Sequence, residues 1–225
     1  MPLALAIRRV GAHIALVLTT AILVFGVLAA AVAVQLDENR LLQLAKSRYG
    51  KPGEQAVTEW LSVLQQSANL SEAEKLRTVN RFWNSTVRGV DDIVLWKSTD
   101  YWATPLETLG KRAGDCEDYV IGKYFSLLKL GVPAEKLRLI YVRALLGGKT
   151  VAHMVLGYYE TPSSDPLILD SLTSSMTRAS ERTDLTPVFS FNGQGIYVGG
   201  QARSVDGISR WQGLLNRMKQ EGIEP

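Results

Sequence analysis

Gly114-Asp115-Cys116-Glu117-Asp118-Tyr119-Val120-Ile121-Gly122-Lys123-Tyr124-Phe125-Ser126-Leu127-Leu128-Lys129-Leu130-Gly131-Val132-Pro133 is the stretch on which the fold turns. Tyr119, Val120, Tyr124, Leu127 and Leu128 recur at helical spacing, so residues 116–130 read as a helix with one apolar face. Gly131 and then Pro133 stop it. Beyond that point the period becomes two. Leu137–Leu145 reads as a strand, Gly147-Gly148 as a turn and Val151–Glu160 as a second strand. Residues 161–166 are a loop, Leu167–Leu172 a third strand, Phe189–Val198 a fourth, and Trp211–Lys219 a closing helix. Upstream, helices over 38–48 and 54–66 flank a break at Pro52-Gly53. A third helix starts at Ser71, with Glu74 in the capping-box position and Leu76, Val79, Phe82 and Trp83 on one face. Residues 89–115 read as irregular with a short helix. Helices followed by consecutive strands give an α+β fold with an antiparallel sheet.

Composition narrows the function. Hydrophobic residues at 46% and charged residues at 21% belong to a chain with a buried core, not a disordered one. Without Arg8 and Arg9 the remaining 23 basic and 22 acidic residues leave a net charge of +1, and no Lys/Arg stripe is interleaved with aromatics, so nucleic acid is not an expected partner. Ile14–Val34 carries no charge, follows those two arginines and includes Ala31-Val32-Ala33 near its end. Residues 1–36 are therefore expected to be a signal peptide or a membrane anchor, with 37–225 exported as one domain.

An exported chain with one cysteine has no internal disulfide, so Cys116 is an unpaired thiol. With only His13 and His153 present, and His13 inside the export segment, a zinc site of several His or Cys ligands is excluded. Cys116 stands in the first turn of its helix, where free N–H groups and the helix dipole favour a thiolate. A lone cysteine is more often a small core residue, yet Asp115, Glu117 and Asp118 are poor company for apolar burial. His153 lies on the second strand and Asp170 ends the apolar Leu167-Ile168-Leu169. Antiparallel pairing could bring the two side by side, with Cys116 presented to the imidazole. Taken singly, His153 reads as a satisfied core histidine and Asp170 as a turn residue. Together with the single cysteine they read as nucleophile, base and orienting group.

Asp100-Tyr101-Trp102-Ala103-Thr104-Pro105, Gly114-Asp115-Cys116-Glu117-Asp118-Tyr119, Ala152-His153-Met154-Val155-Leu156 and Leu169-Asp170 resemble the LapG-type bacterial transglutaminase-like cysteine proteases, over about Trp83 to Val198. The resemblance implies a papain-like or transglutaminase-like core, with the cysteine-bearing helix packed on the antiparallel sheet. It implies catalysis by Cys116, His153 and Asp170 in the periplasm. The implied substrate is a large outer-membrane adhesin, cut near its N-terminus between small residues so that biofilm disperses. The implied inhibitor is the periplasmic domain of an inner-membrane cyclic di-GMP receptor. It also implies Ca²⁺ on Asp115, Glu117 and Asp118, which has a physical reason: three carboxylates disfavour a thiolate, and a dication offsets them. Without a metal, the same acids would simply cap the helix and complement its dipole. Trp102, in a loop-rich stretch ahead of the cysteine, is expected to shape the substrate site, with a core role as the alternative. Two other functions suit the same core: an acyl transferase of transglutaminase type, and a binding module without catalysis.

Overall fold

The computed structural model describes residues 34–198, 201–203 and 209–224, so nearly all of the expected export segment lies outside the described residues. No helix among those described is long and apolar enough to cross a membrane. The chain begins with β1 (Gln35–Leu36) and α1 (Glu38–Ser67), where the Asp37 side chain accepts the Arg40 N–H at 3.0 Å. The expected break in α1 falls at Gly50 (φ 67°), and Pro52 stands in the first turn of the continuing stretch, where its missing N–H is harmless. α2 (Glu72–Thr86) opens with the expected capping box: Glu74 N–H donates to Ser71 Oγ at 3.4 Å and Ser71 N–H to Glu74 Oε2 at 3.0 Å.

The stretch before the cysteine is more ordered than its composition suggests. It holds β2 (Arg88–Gly89), α3 (Asp92–Leu95), α4 (Pro105–Lys111) and β3 (Ala113–Gly114), with β2 and β3 paired in parallel. The signal for α4 lies in Thr104-Pro105-Leu106-Glu107, which is a cap, an N1 proline and a capping-box glutamate. Glu107 N–H donates to Thr104 Oγ1 at 3.1 Å and Thr104 N–H to Glu107 Oε2 at 2.8 Å.

α5 (Cys116–Lys129) packs against α2 on one side and the sheet on the other. The sheet comprises β4 (Leu137–Leu146), β5 (Lys149–Tyr158), β6 (Leu167–Leu169), β7 (Thr177–Arg178), β8 (Leu185–Asn192), β9 (Gly195–Val198) and β10 (Gln201–Arg203). Its strands run antiparallel in the order β10-β9-β8-β4-β5-β6-β7. Gly147 and Gly148, with φ of 55° and 78°, make the tight β4–β5 turn. α6 (Ser209–Glu221) and β11 (Ile223–Glu224) follow, and β11 pairs with β1.

Two strand expectations are corrected. Residues 189–198 are two strands, reversed at Gly193-Gln194, where Asn192 Oδ1 accepts the N–H groups of Gln194 and Gly195 at 2.9 and 3.2 Å. β8 starts earlier than expected because Pro187 is tolerated beside a register shift: Tyr141 faces Phe189 while Val142 faces Pro187. β6 stops at Leu169, not Leu172, because the Asp170 carboxylate accepts the Leu172 N–H at 3.0 Å and turns the chain.

One hydroxyl organises the polar centre of the core. Trp60 and Trp83 both donate their indole N–H to Ser126 Oγ, at 2.8 and 3.0 Å, and Ser126 donates to the Gly122 carbonyl at 2.6 Å. Trp83 lies so close to α5 that a Cβ on Gly122 would be 2.4 Å from the indole. The rings of Tyr124, Phe125, Phe191 and Trp211 continue this core toward α6. The opposite face of the sheet buries a smaller cluster of Ile140, Val142, Val155 and Ile168.

Candidate active site

The end of β6 creates the site. β6 pairs with β5 only over Leu156–Tyr158, leaving the edge of β5 open from Val155 back toward His153. The start of α5 closes on that edge, and Cys116 Sγ takes up the Met154 backbone N–H. Asp170, the first residue past β6, is fully buried and accepts from His153 Nε2 at 2.7 Å. Its other oxygen accepts from Arg182 Nη2 at 2.8 Å, and Arg182 is held in turn by Asp184 at 2.7 Å. Burial opposes ionisation of Asp170. The hydrogen bonds from His153, the Leu172 N–H and Arg182 outweigh it and hold the carboxyl down to about 2. An ionised carboxylate only accepts, so Nε2 carries the proton and Nδ1 is left as the basic nitrogen.

Cys116 and His153 line one cleft of about 560 Å³. Its lining is of mixed character and includes the acids Asp91, Asp100, Asp115 and Glu117 as well as the apolar Leu146, Val151 and Leu172. A groove of similar volume, about 520 Å³, lies on the far face of the sheet around Ile140, Val155 and Pro187, and neither cysteine nor histidine lines it.

The acids around Cys116 act as their number suggests. Burial pushes the thiol up, and Glu117 adds to this both by charge and by accepting from Sγ at 2.7 Å. These effects outweigh the helix terminus expected to favour a thiolate. Burial likewise raises Asp115 to about 9, with Glu117, Asp118 and Asp92 adding repulsion, and it drives Asp118 well up.

The residues that could hold a metal are Asp92, Asp115 and Asp118, each with one oxygen within 4.8 Å of the others. Asp92 and Asp115 each have a buried Oδ1 without a hydrogen-bond partner. The remaining oxygens are anchored: Asp92 accepts the Tyr101 N–H, and Asp118 accepts those of Ala103 at 2.8 Å and Asp115 at 3.3 Å. Three carboxylates this close together, two with an unpartnered Oδ1 and all with raised carboxyls, suit a hard divalent cation such as Ca²⁺. Two of the three expected ligands, Asp115 and Asp118, belong to this group. Glu117 does not, because its carboxylate is turned to the thiol, and Asp92 takes the third place.

Trp102 is not among the residues lining the cleft. It is 3% exposed and stacks on Phe191 at 5.6 Å, beneath Tyr141, which does line the cleft. The core alternative is what the structure favours. Trp102→Phe should therefore cost about 1 kcal/mol of stability, since lost ring area is partly offset by removing a buried indole N–H that has no partner. Turnover should stay within about twofold of the parent, and a large change in kcat with unchanged melting would return Trp102 to the site.

Sequence reasoning also missed Asp92, Arg182, Asn84 and Lys123. Asp92 lies in the stretch read as largely irregular, and only the acidic pair Asp91-Asp92 hints at it. A buried aspartate demands a cation, yet no spacing picks out Arg182. Lys123 carries the clearest signal, a charge inside the apolar run of α5.

The family model described as bacterial transglutaminase-like cysteine proteinase matches residues 54–186. The chain belongs to that family. LapG of Legionella pneumophila, in an EGTA-treated structure, is 36% identical, and the match covers 83% of this chain and 100% of that one with a TM-score of 0.73. A calcium-bound structure of the same protein is 37% identical, with coverages of 80% and 98% and a TM-score of 0.70. No curated protein matches the chain. As a bacterial transglutaminase-like cysteine proteinase, the chain has the LapG-like arrangement of helices on an antiparallel sheet expected from its sequence.

Proposed function

We propose that this chain is a calcium-dependent periplasmic cysteine endopeptidase with a Cys116–His153–Asp170 triad. In this reading it cuts the N-terminal region of a large outer-membrane adhesin, releasing the adhesin and dispersing biofilm. The periplasmic domain of an inner-membrane cyclic di-GMP receptor restrains it. The observation that carries the reading is the 2.7 Å bond from His153 to the buried Asp170, with His153 lining the same cleft as the chain's single cysteine. Similarity to LapG, including a calcium-bound form, supports the metal, and the family match supports cysteine-protease chemistry. The uncharged stretch Ile14–Val34 behind two arginines supports export.

In the mechanism, Asp170 holds Nε2–H and so aims Nδ1 at the thiol. His153 takes the Cys116 proton as Sγ attacks the scissile carbonyl, and returns it to the departing amine. Water then attacks the thioester with His153 again as base, which frees Cys116. The first N–H groups of α5 have no partner within the helix, and in this reading they stabilise the developing oxyanion. Asp92, Asp115 and Asp118 would hold calcium with Glu117 beside them, and bound calcium supplies positive charge that offsets the carboxylates around the thiol.

The test uses an N-terminal adhesin fragment from the same genome. The calcium-supplied protein should make one cut. EGTA should slow it at least about tenfold, restored by calcium, and the receptor's periplasmic domain should suppress it. An intact fragment with calcium present would remove the adhesin from the proposal. Full activity in EGTA, with no calcium heat in calorimetry on Cys116→Ala, would remove the metal.

A further inference from the structure

Lys123 lies two turns along α5 from Cys116, and none of it reaches solvent. Burying an ammonium is unfavourable unless it is paired. Burial drags Lys123 down to about 7, against the pull of Asp170. Among the described residues its one hydrogen bond is to the Asp170 backbone carbonyl at 3.1 Å, and the Tyr119 ring lies 5.8 Å away. The same carbonyl accepts from Asn84 Nδ2 at 2.8 Å, and that amide also donates to the Thr173 carbonyl at 3.2 Å. An unbranched apolar side chain of similar length would fill this space with no charge to desolvate, so packing alone does not account for the amine. What the amine adds is a link. It ties the helix that bears Cys116 to the residue whose carboxylate orients His153.

We propose that Lys123 is a positioning residue, a strut that fixes Asp170, and through it the imidazole, relative to the nucleophile's helix. Asn84 steadies the same carbonyl from α2. The proposal rests on the triad reading above. Lys123 touches no substrate and acts only through Asp170.

The test compares Lys123→Met with the parent, as full chains in calcium-containing buffer. Three readouts need no adhesin: the melting temperature, the rate of Cys116 alkylation by iodoacetamide, and the proton resonance of His153 Nε2–H. Lys123→Met should melt at or above the parent's temperature. Its alkylation should slow by roughly 10- to 100-fold, as expected for a displaced reacting pair, and the Nε2–H resonance should shift or broaden. Lys123→Gln, which keeps an N–H donor, should recover part of the rate. Asn84→Ala combined with Lys123→Met should lose more than the product of the two single effects, since both donors serve one carbonyl. Alkylation at the parent rate with an unmoved resonance overturns the proposal. So does a lowered melting temperature with the resonance in place, because that assigns Lys123 to packing. A parent that alkylates no faster than a model thiol instead defeats the triad reading, so the two failures are distinct.

Discussion

Cys116→Ala should fold as the parent does and lose peptide hydrolysis by about 10⁴-fold or more. The sulfur is the only thiol in the chain and faces the cleft at the first position of α5. Its removal takes away the atom that would form the acyl-enzyme, and no neighbouring side chain can replace it. The structural cost is small. Sγ is only partly buried, its loss frees the Met154 N–H and the Glu117 carboxylate, and alanine is a good helix former. Circular dichroism and the melting temperature should therefore stay close to the parent's while fragment cleavage disappears. Cleavage within about tenfold of the parent would end the reading of Cys116 as nucleophile.

Asp170→Asn should cut kcat by roughly 10³- to 10⁴-fold, the scale seen when a triad's orienting carboxylate becomes an amide. The change is nearly isosteric, but it exchanges an acceptor for a group that can donate. If the amide donates to Nε2, the proton moves to Nδ1 and the base facing Cys116 is lost. The variant also leaves Arg182, with 12% of its side chain exposed, paired only with Asp184. A stability loss of about 1–3 kcal/mol should accompany it. KM should change far less than kcat, because the fault lies in the chemical step. Parent-like kinetics would make Asp170 a turn residue and send the search for the orienting group elsewhere.

These residues were legible because they are chemically conspicuous. A single cysteine among acids, a single histidine outside the expected export segment and an aspartate ending an apolar strand stand out even when their spatial relation is unknown. The helix of α5 and the β4–β5 hairpin were equally plain, since periodicity and the glycine pair speak locally. What escaped depends on contacts between distant segments. Arg182 meets Asp170 only because β6 stops and the chain returns past it, and Asp92 joins Asp115 and Asp118 only after 22 intervening residues have folded. Trp102 sits beside motif residues in sequence, but its ring turns inward onto Phe191. Nearness along the chain was there a poor guide to nearness in the cleft.

The pairing of β1 with β11 sets how the domain can be attached to anything else. Gln35 lies opposite Glu224, the Asp37 N–H donates to the Gly222 carbonyl at 2.8 Å, and Arg40 Nε donates to the Gln220 carbonyl at 2.9 Å. Val34 and Ile223 are buried at the join. Both ends of the folded unit therefore leave the surface at one spot, as a load hangs from a single hook. A fusion made at either end emerges on the same side of the molecule. A short bridge from residue 224 to residue 34, with new ends opened at Gly147-Gly148, would reorder the chain while keeping every strand pairing.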